Sequence, residues 1–278
     1  MSTVALIDCR PFSEYQLGHA VGACSIPAQD LFARLHELPK RSQTLQLCGK
    51  PEDLNLARAF LLERGYGLLD DLVWTQALLQ HLQTTGQWEV GLQSKQWWQA
   101  APLLQHFVQE CMPRYQIPVG QGLDLACGAG RDLIYLAQQG WQMTGVDWSA
   151  DSLQRVQQLA VNQNLAITTL LRDLETEANP LPEFSSGSFD LICVARYLHR
   201  PLFPLLRQLL KPSGIIIYQT FMQGCEHTAI GRPRNPKFLL APQELAEHFQ
   251  GFEILLDEIE VLEDGRPVAA FIARKPSV

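Results

Sequence analysis

From Gly122 to the C-terminus, short apolar runs alternate with helical patterns, and this alternation constrains the fold more than any other feature of the chain. The runs are "GLDLA", "QMTGVD", "ITTLLRD", "FDLICVA", "GIIIYQTF", "FEILLDEIEV" and "PVAAFIARK". Helices are expected to begin near Asp132, Ala150, Pro201 and Pro242, with Gly140 and Gly214 as left-handed caps ending the first and third. Strand and helix in alternation put helices on both faces of a mostly parallel sheet. Only "LEDGR" separates the last two runs, and Asp264-Gly265 is a hairpin signal, so the seventh strand should run antiparallel. The expected fold class is α/β.

The first 90 residues suggest a smaller α/β unit. Strands are expected at "VALID" and "TLQLC", and an amphipathic helix from about Leu54 to Arg64, closed by Gly65. Between the units, "GLQSKQWWQAAPLLQHFVQECMPRY" spaces Trp97, Trp98, Leu103, Leu104, Phe107 and Val108 at roughly helical intervals. It is expected to be a helix leading into the second domain, which sets the domains at 1–90 and 91–278. With 278 residues, 46% hydrophobic and 18% charged, the chain can bury a substantial core in each. A net charge of −7 opposes loose attraction to phosphate backbones, so nucleic acid is a disfavoured partner. The start "MSTVALIDCRPF" has no basic leader, and no apolar run approaches the roughly twenty residues that span a bilayer. A soluble, cytoplasmic protein with no membrane partner is expected. The seven cysteines are odd in number and contain no C-x-x-C pair, which argues against a disulfide framework or a zinc ribbon; no metal site is expected.

The first strand of the larger unit runs into "LDLACGAGRD". A dinucleotide fingerprint would place a third glycine where this chain has Leu133. The turn carries instead Asp124 within the strand, Ala126 and Gly128 where backbone must approach a ligand, Gly130 and Arg131 at the helix start, and Asp147 closing the next strand. An acid about twenty residues after such a turn accepts hydrogen bonds from ribose hydroxyls, so the pattern reads as a nucleoside site with different outer chemistry. The stretch "LDLACGAGRDLIYLAQQGWQMTGVDWS" resembles the cofactor motif of class I S-adenosylmethionine-dependent methyltransferases, and "GRDLIYLA" resembles their tellurite-resistance-type branch. The resemblance spans roughly residues 95 to 278 and implies a seven-stranded Rossmann-like methyltransferase sheet with S-adenosylmethionine as cofactor. It places Asp147 on the ribose, Trp148 against the adenine, and Asp173 and Leu174 near the adenine amine. It sets the turn at Ala126, Gly128 and Gly130 against the methionine moiety, with Arg131 on its carboxylate, Asp124 ordering the turn or the ammonium group, and Ala195 on the cofactor wall. Many relatives have glycine at the Ala126 position; alanine fits if φ is negative there.

Methyl transfer needs an acceptor nucleophile in line with the methyl group, and a base is optional. The acceptor wall is expected at "ARYLHRP" and "YQTFMQGCEHTAIGRPRNPKFLL". Arg196, Tyr197 and His199 are candidates for substrate and proton handling. Arg200, Arg232 and Arg234, with Lys237, are candidates for holding an anionic or oxyanionic acceptor, His227 for taking a proton, and "GRPRNP" for a lid. Cys225 and Tyr218 are expected to be structural. No N-P-P-Y motif for exocyclic base amines is present, which weakens a nucleic-acid substrate without excluding it; the resemblance implies a small acceptor, thiol or chalcogen-containing.

The stretch "LIDCRPFSEYQLGHAVGACSIP" resembles the opening of a rhodanese domain, through Glu14-Tyr15, Gly18-His19 and Gly22-Ala23 before Ile26-Pro27. The strand "TLQLC" then delivers Cys48 where that family carries its persulfide-forming cysteine, and "LARAFLLERGYG" follows as its helix. The loop after Cys48 reads Gly49, Lys50, Pro51, Glu52, Asp53: Pro51 removes a donor, Asp53 stands where active relatives close the loop with arginine, and Lys50 is a partial substitute. A degenerate domain with a docking or regulatory role is favoured over sulfur transfer by Cys48. Two other functions stay open at this point: an RNA or protein methyltransferase, and a sulfur-relay or adaptor protein that only senses the cofactor. A nicotinamide dehydrogenase is the most distant alternative.

Overall fold

The computed structural model describes residues 4–32, 34–176, 179–262 and 264–277. The chain divides into two compact units, 1–99 and 100–278.

In the first unit the chain runs through β1 (Ala5–Asp8), α1 (Phe12–Tyr15), β2 (His19–Ala20), β3 (Cys24–Ser25), β4 (Leu45–Gly49), α2 (Pro51–Glu63), β5 (Leu72–Val73), α3 (Gln76–Thr84) and β6 (Trp88–Glu89). The order β3-β1-β4-β5 makes a parallel sheet, and β2 pairs antiparallel with β6. Proline at the first position starts α2 with a preset φ, and Leu54, Ala57 and Leu61 bury one stripe of it against the sheet. Gly65, at φ 79°, ends that segment as expected.

The expected helix from Gly91 is not formed. Helix α4 (Pro102–His106) starts only at Pro102, because the residue before a proline is pushed to extended backbone, and Ala101 has ψ 137°. Residues 93–95 are tied to the first unit: Gln93 O accepts from Tyr15 Oη at 2.6 Å, and Lys95 N donates to Ala23 O at 2.9 Å. Residues 91–99, assigned above to the second domain, therefore go with the first. From α4 the chain passes through a π-turn (Phe107–Cys111) into α5 (Met112–Tyr115). Pro113 cannot donate into the helix ladder, and a widened turn beside it is the usual accommodation.

All seven expected strands of the second unit are present. They are β7 (Gln121–Leu125), β8 (Gln142–Asp147), β9 (Thr168–Leu171), β10 (Phe189–Ala195), β11 (Leu210–Phe221), β12 (Glu253–Val261) and β13 (Pro267–Arg274), interleaved with α6 (Arg131–Gln138), α7 (Ala150–Asn162), α8 (Phe203–Leu209) and α9 (Glu244–His248). The sheet order is β12-β13-β11-β10-β7-β8-β9, with β13 antiparallel to both neighbours and every other pairing parallel. One face packs Leu123, Leu125, Ile192, Val194, Ile216 and Tyr218 against Phe203, Leu206 and Phe249 of the α8–α9 side. Alternation then sends Asp124, Cys193 and Gln219 to the opposite face. β12 is an outer strand carrying Glu253, Asp257, Glu258 and Glu260. Gly140 has the expected φ of 93°, but Gly214 is not a left-handed cap: the neighbouring Ser213 takes φ 63°. Gly214 is needed for space, since a Cβ there would meet Lys211 O at 2.9 Å.

Candidate cofactor and acceptor site

β7 ends in a turn of three positive-φ residues: Ala126 at 55°, Gly128 at 53° and Gly130 at 82°. The expectation of a negative φ at Ala126 is thus corrected; alanine bears the left-handed strain that glycine would avoid. Gly128 and Gly130 differ in purpose. A Cβ on Gly130 would strike Val156 at 2.8 Å, so that glycine lets α6 and α7 approach, whereas nothing lies within 4 Å of one on Gly128. Gly128 therefore presents bare backbone to open space.

Asp147 organises the turn. Its Oδ2 accepts from Gly128 N at 2.8 Å and its Oδ1 from Ser149 N at 2.9 Å, which ties the ends of β7 and β8 together. Each carboxylate oxygen keeps acceptor capacity for a further donor. An acid anchored at the strand end beside an uncovered glycine fits a nucleoside with its ribose on Asp147.

Arg131 shares its charge with a neighbour: its Nε and Nη2 donate to Asp132 at 3.0 and 2.6 Å. Asp132 also accepts from Ala101 N at 2.8 Å, which anchors α4 to α6. Asp124 is 2% exposed; burial first, and the nearby Asp132 second, push its pKa well above the ordinary carboxyl range. Trp148 is 77% exposed, Leu174 is buried, and Asp173 Oδ1 caps its own turn by accepting from Glu175 N at 2.9 Å. Ala195 closes β10.

On the acceptor side, β10 delivers Arg196, at φ 60°, then Tyr197 and His199. The Tyr197 hydroxyl is buried beside Glu175, and its pKa is raised, chiefly by burial and then by that acid. Glu175 Oε2 also lies 4.0 Å from His199 Nδ1. The sequence reading missed this acid, although it stands two residues after Asp173. The role expected for Arg200 is corrected: it clamps the fold, ion-paired with Glu244 and donating to Lys237 O at 3.1 Å and Leu239 O at 2.9 Å. Arg234 is taken up locally, its Nε donating to Gly231 O at 2.7 Å, while the exposed Arg232 lends its carbonyl to Arg266 Nη1 at 3.3 Å. His227 is exposed and lies 3.7 Å from Glu226. Gln219 and Arg266, both overlooked, join Arg196 near Phe221. A polar residue inside the apolar run "GIIIYQTF" was the available signal for Gln219.

In the first unit, Cys48 lies at the carboxyl end of β4, in register with Asp8 of β1. It is 1% exposed, and burial together with Asp8 pushes its thiol up to about 12, against only a small pull from Arg10. Arg10 is held by a buried ion pair of 2.6 Å with Asp8 and stacks 3.2 Å from the Trp74 ring. Lys50 does not compensate for the missing arginine, because its ammonium is paired with Glu14 at 2.6 Å.

Comparison with known proteins agrees with this division. Residues 123–214 match the methyltransferase domain family and residues 1–74 the rhodanese-like domain family. The chain is 21% identical to the uncharacterized protein UNK4.09 of Schizosaccharomyces pombe, over 98% of this chain and 94% of that one. It is 26% identical over 137 residues to the probable S-adenosyl-L-methionine-dependent methyltransferase TehB of Haemophilus influenzae, over 48% of this chain and 46% of TehB. The chain thus spans about half the length of that relative. Among solved structures, a SAM-dependent methyltransferase from Methanosarcina mazei superposes with TM-score 0.50 at 19% identity, over 64% of this chain and 99% of that one, a likeness of fold. Fold, turn and matches together define a class I S-adenosylmethionine-dependent methyltransferase. Residues 123–214 carry its methyltransferase domain, and residues 1–74 add an N-terminal rhodanese-like domain.

Proposed function

We propose that the C-terminal unit transfers the methyl group of S-adenosylmethionine to a small-molecule acceptor, thiol or chalcogen-containing, in the cytoplasm. The observation that carries the reading is the Asp147–Gly128 bond at 2.8 Å beside a glycine with open space above it. When bound, the cofactor supplies an electrophilic methyl group. Asp147 holds the ribose, and the turn backbone receives the amino-acid end. Arg196, Tyr197 and His199 orient the acceptor, and the His199–Glu175 pair takes any proton the acceptor gives up. Held by Asp147 and the Gly128 turn, the cofactor would supply the methyl carbon to the acceptor's lone pair, with the S–CH3 bond pair retained on the sulfur of S-adenosylhomocysteine.

Calorimetric titration with S-adenosylhomocysteine, with NAD as control, tests the cofactor assignment. Micromolar binding of the first alone is expected, and Asp147→Ala should abolish it; affinity retained by that variant would sink the ribose role. For the first unit the reading is docking or regulation, supported by the buried, protonated Cys48 and the engaged Lys50. Thiocyanate formation from thiosulfate and cyanide, lost in Cys48→Ala, would overturn it.

A further inference from the structure

At the carboxyl end of the sheet, β11 carries a polar residue that the cofactor assignment leaves unused. Gln219 is flanked in register by Ala195 of β10 and Ala270 of β13 and is 1% exposed. One end of its amide is satisfied, Nε2 donating to Glu260 Oε2 at 2.7 Å. The other end, Oε1, is buried with no donor among the described residues. An acceptor atom in that position is costly unless an ordered water or a ligand completes it.

Arg196 adjoins it, its backbone N donating to Gln219 O at 2.7 Å. Its guanidinium lies 5.1 Å from the Phe221 ring centroid and makes no hydrogen bond or ion pair among the described residues. Arg266, 4.6 Å from the same ring, is taken by Asp264, and Arg131 is taken by Asp132. Of these three neighbouring guanidiniums, Arg196 alone makes no ion pair among the described residues, although Glu260, Asp132 and Asp264 lie near enough to act on it. Burial, then Arg131 and Arg266, hold its pKa below the usual arginine value, which is the field an anion would relieve.

On the methyltransferase reading proposed above, we infer that the acceptor is a small organic acid whose carboxylate sits on Arg196 beside Phe221 and whose N–H or O–H group donates to Gln219 Oε1. The two unmet needs are opposite in kind, an anion for one group and a donor for the other. A bare inorganic oxyanion meets only the first, while an acid bearing an amide or hydroxyl meets both. Arg196 binds the acceptor, and Gln219 selects among acids.

The test titrates the full chain, saturated with S-adenosylhomocysteine, by protein-observed NMR with three probes. N-acetylglycine carries both groups, N-acetylglycinamide lacks the charge, and levulinate keeps the acid but has CH2 in place of N–H. N-acetylglycine should bind about tenfold more tightly than either of the others. Arg196→Gln should erase its advantage over the amide, and Gln219→Met its advantage over levulinate. Both variants should keep the cofactor affinity of the parent, which also reports that they fold. Equal binding of the three probes, no binding by any, or preferences that survive in the variants would overturn the inference. If the parent chain fails to bind S-adenosylhomocysteine, the cofactor reading falls by itself. The probes are then titrated on the unloaded chain, where absence of the acid preference still overturns the acid seat.

Discussion

Ala126 and Arg196 follow directly from the carboxyl ends of β7 and β10, and both hold a left-handed backbone without being glycine. Strain of this kind is often concentrated at binding sites, and here it falls just past the ends of two adjacent central strands. Ala126→Gly should therefore stabilise the chain by about 0.5–1 kcal/mol, the relief of left-handed strain less the extra unfolded-state freedom of glycine, read as a shift in urea midpoint. Asp124 gives a pH dependence. Its folded pKa is raised by burial and by Asp132, so the unfolded chain loses the proton first as pH rises. Its contribution is fully present below the unfolded value of about 3.9 and is lost as pH climbs through the folded pKa. Asp124→Asn should remove this slope and unfold at higher urea than the parent at pH 7. The turn through Gly128 and Gly130 was legible in the sequence because turn chemistry is local. The Arg131–Asp132 pair was not, since side-chain direction decides whether adjacent charges meet. Gln219 was hidden because its unmet acceptor arises only when β10 and β13 close around β11.

At the scale of elements, apolar runs and turn residues were enough to find every strand of the second unit. They failed where a single residue redirects the chain. Proline delayed the expected helix from Gly91 to Pro102, and Ser213, rather than Gly214, took the left-handed turn. Arg200 shows an arginine whose work is between elements: it joins the start of the α8 region to α9 and to the segment at Lys237–Leu239. Arg200→Ala should cost roughly 1–3 kcal/mol through stranded carbonyls and an unpaired Glu244. Urea denaturation reads the loss, while calorimetry with S-adenosylhomocysteine should show unchanged affinity. An Arg200→Ala variant as stable as the parent would return Arg200 to the candidates for holding the acceptor.

For the whole molecule, each unit has a sheet and a hydrophobic core of its own, with separate clusters around β1–β4 and around β7–β10–β11. A fragment of residues 100–278 should fold alone and bind S-adenosylhomocysteine within about threefold of the full chain, as expected of an autonomous domain. A fragment that folds but does not bind would make the first unit part of the cofactor site. The outer strand β12 has a consequence for handling the protein. An open sheet edge can zip onto another copy of itself, and Asp257, Glu258 and Glu260 of this one oppose that at neutral pH, while Glu253 is paired with Arg274. Acidification removes the mutual repulsion while leaving the exposed Ile254, Ile259 and Val261 in place, so purification steps near pH 4 invite fibrous precipitate that a neutral buffer prevents.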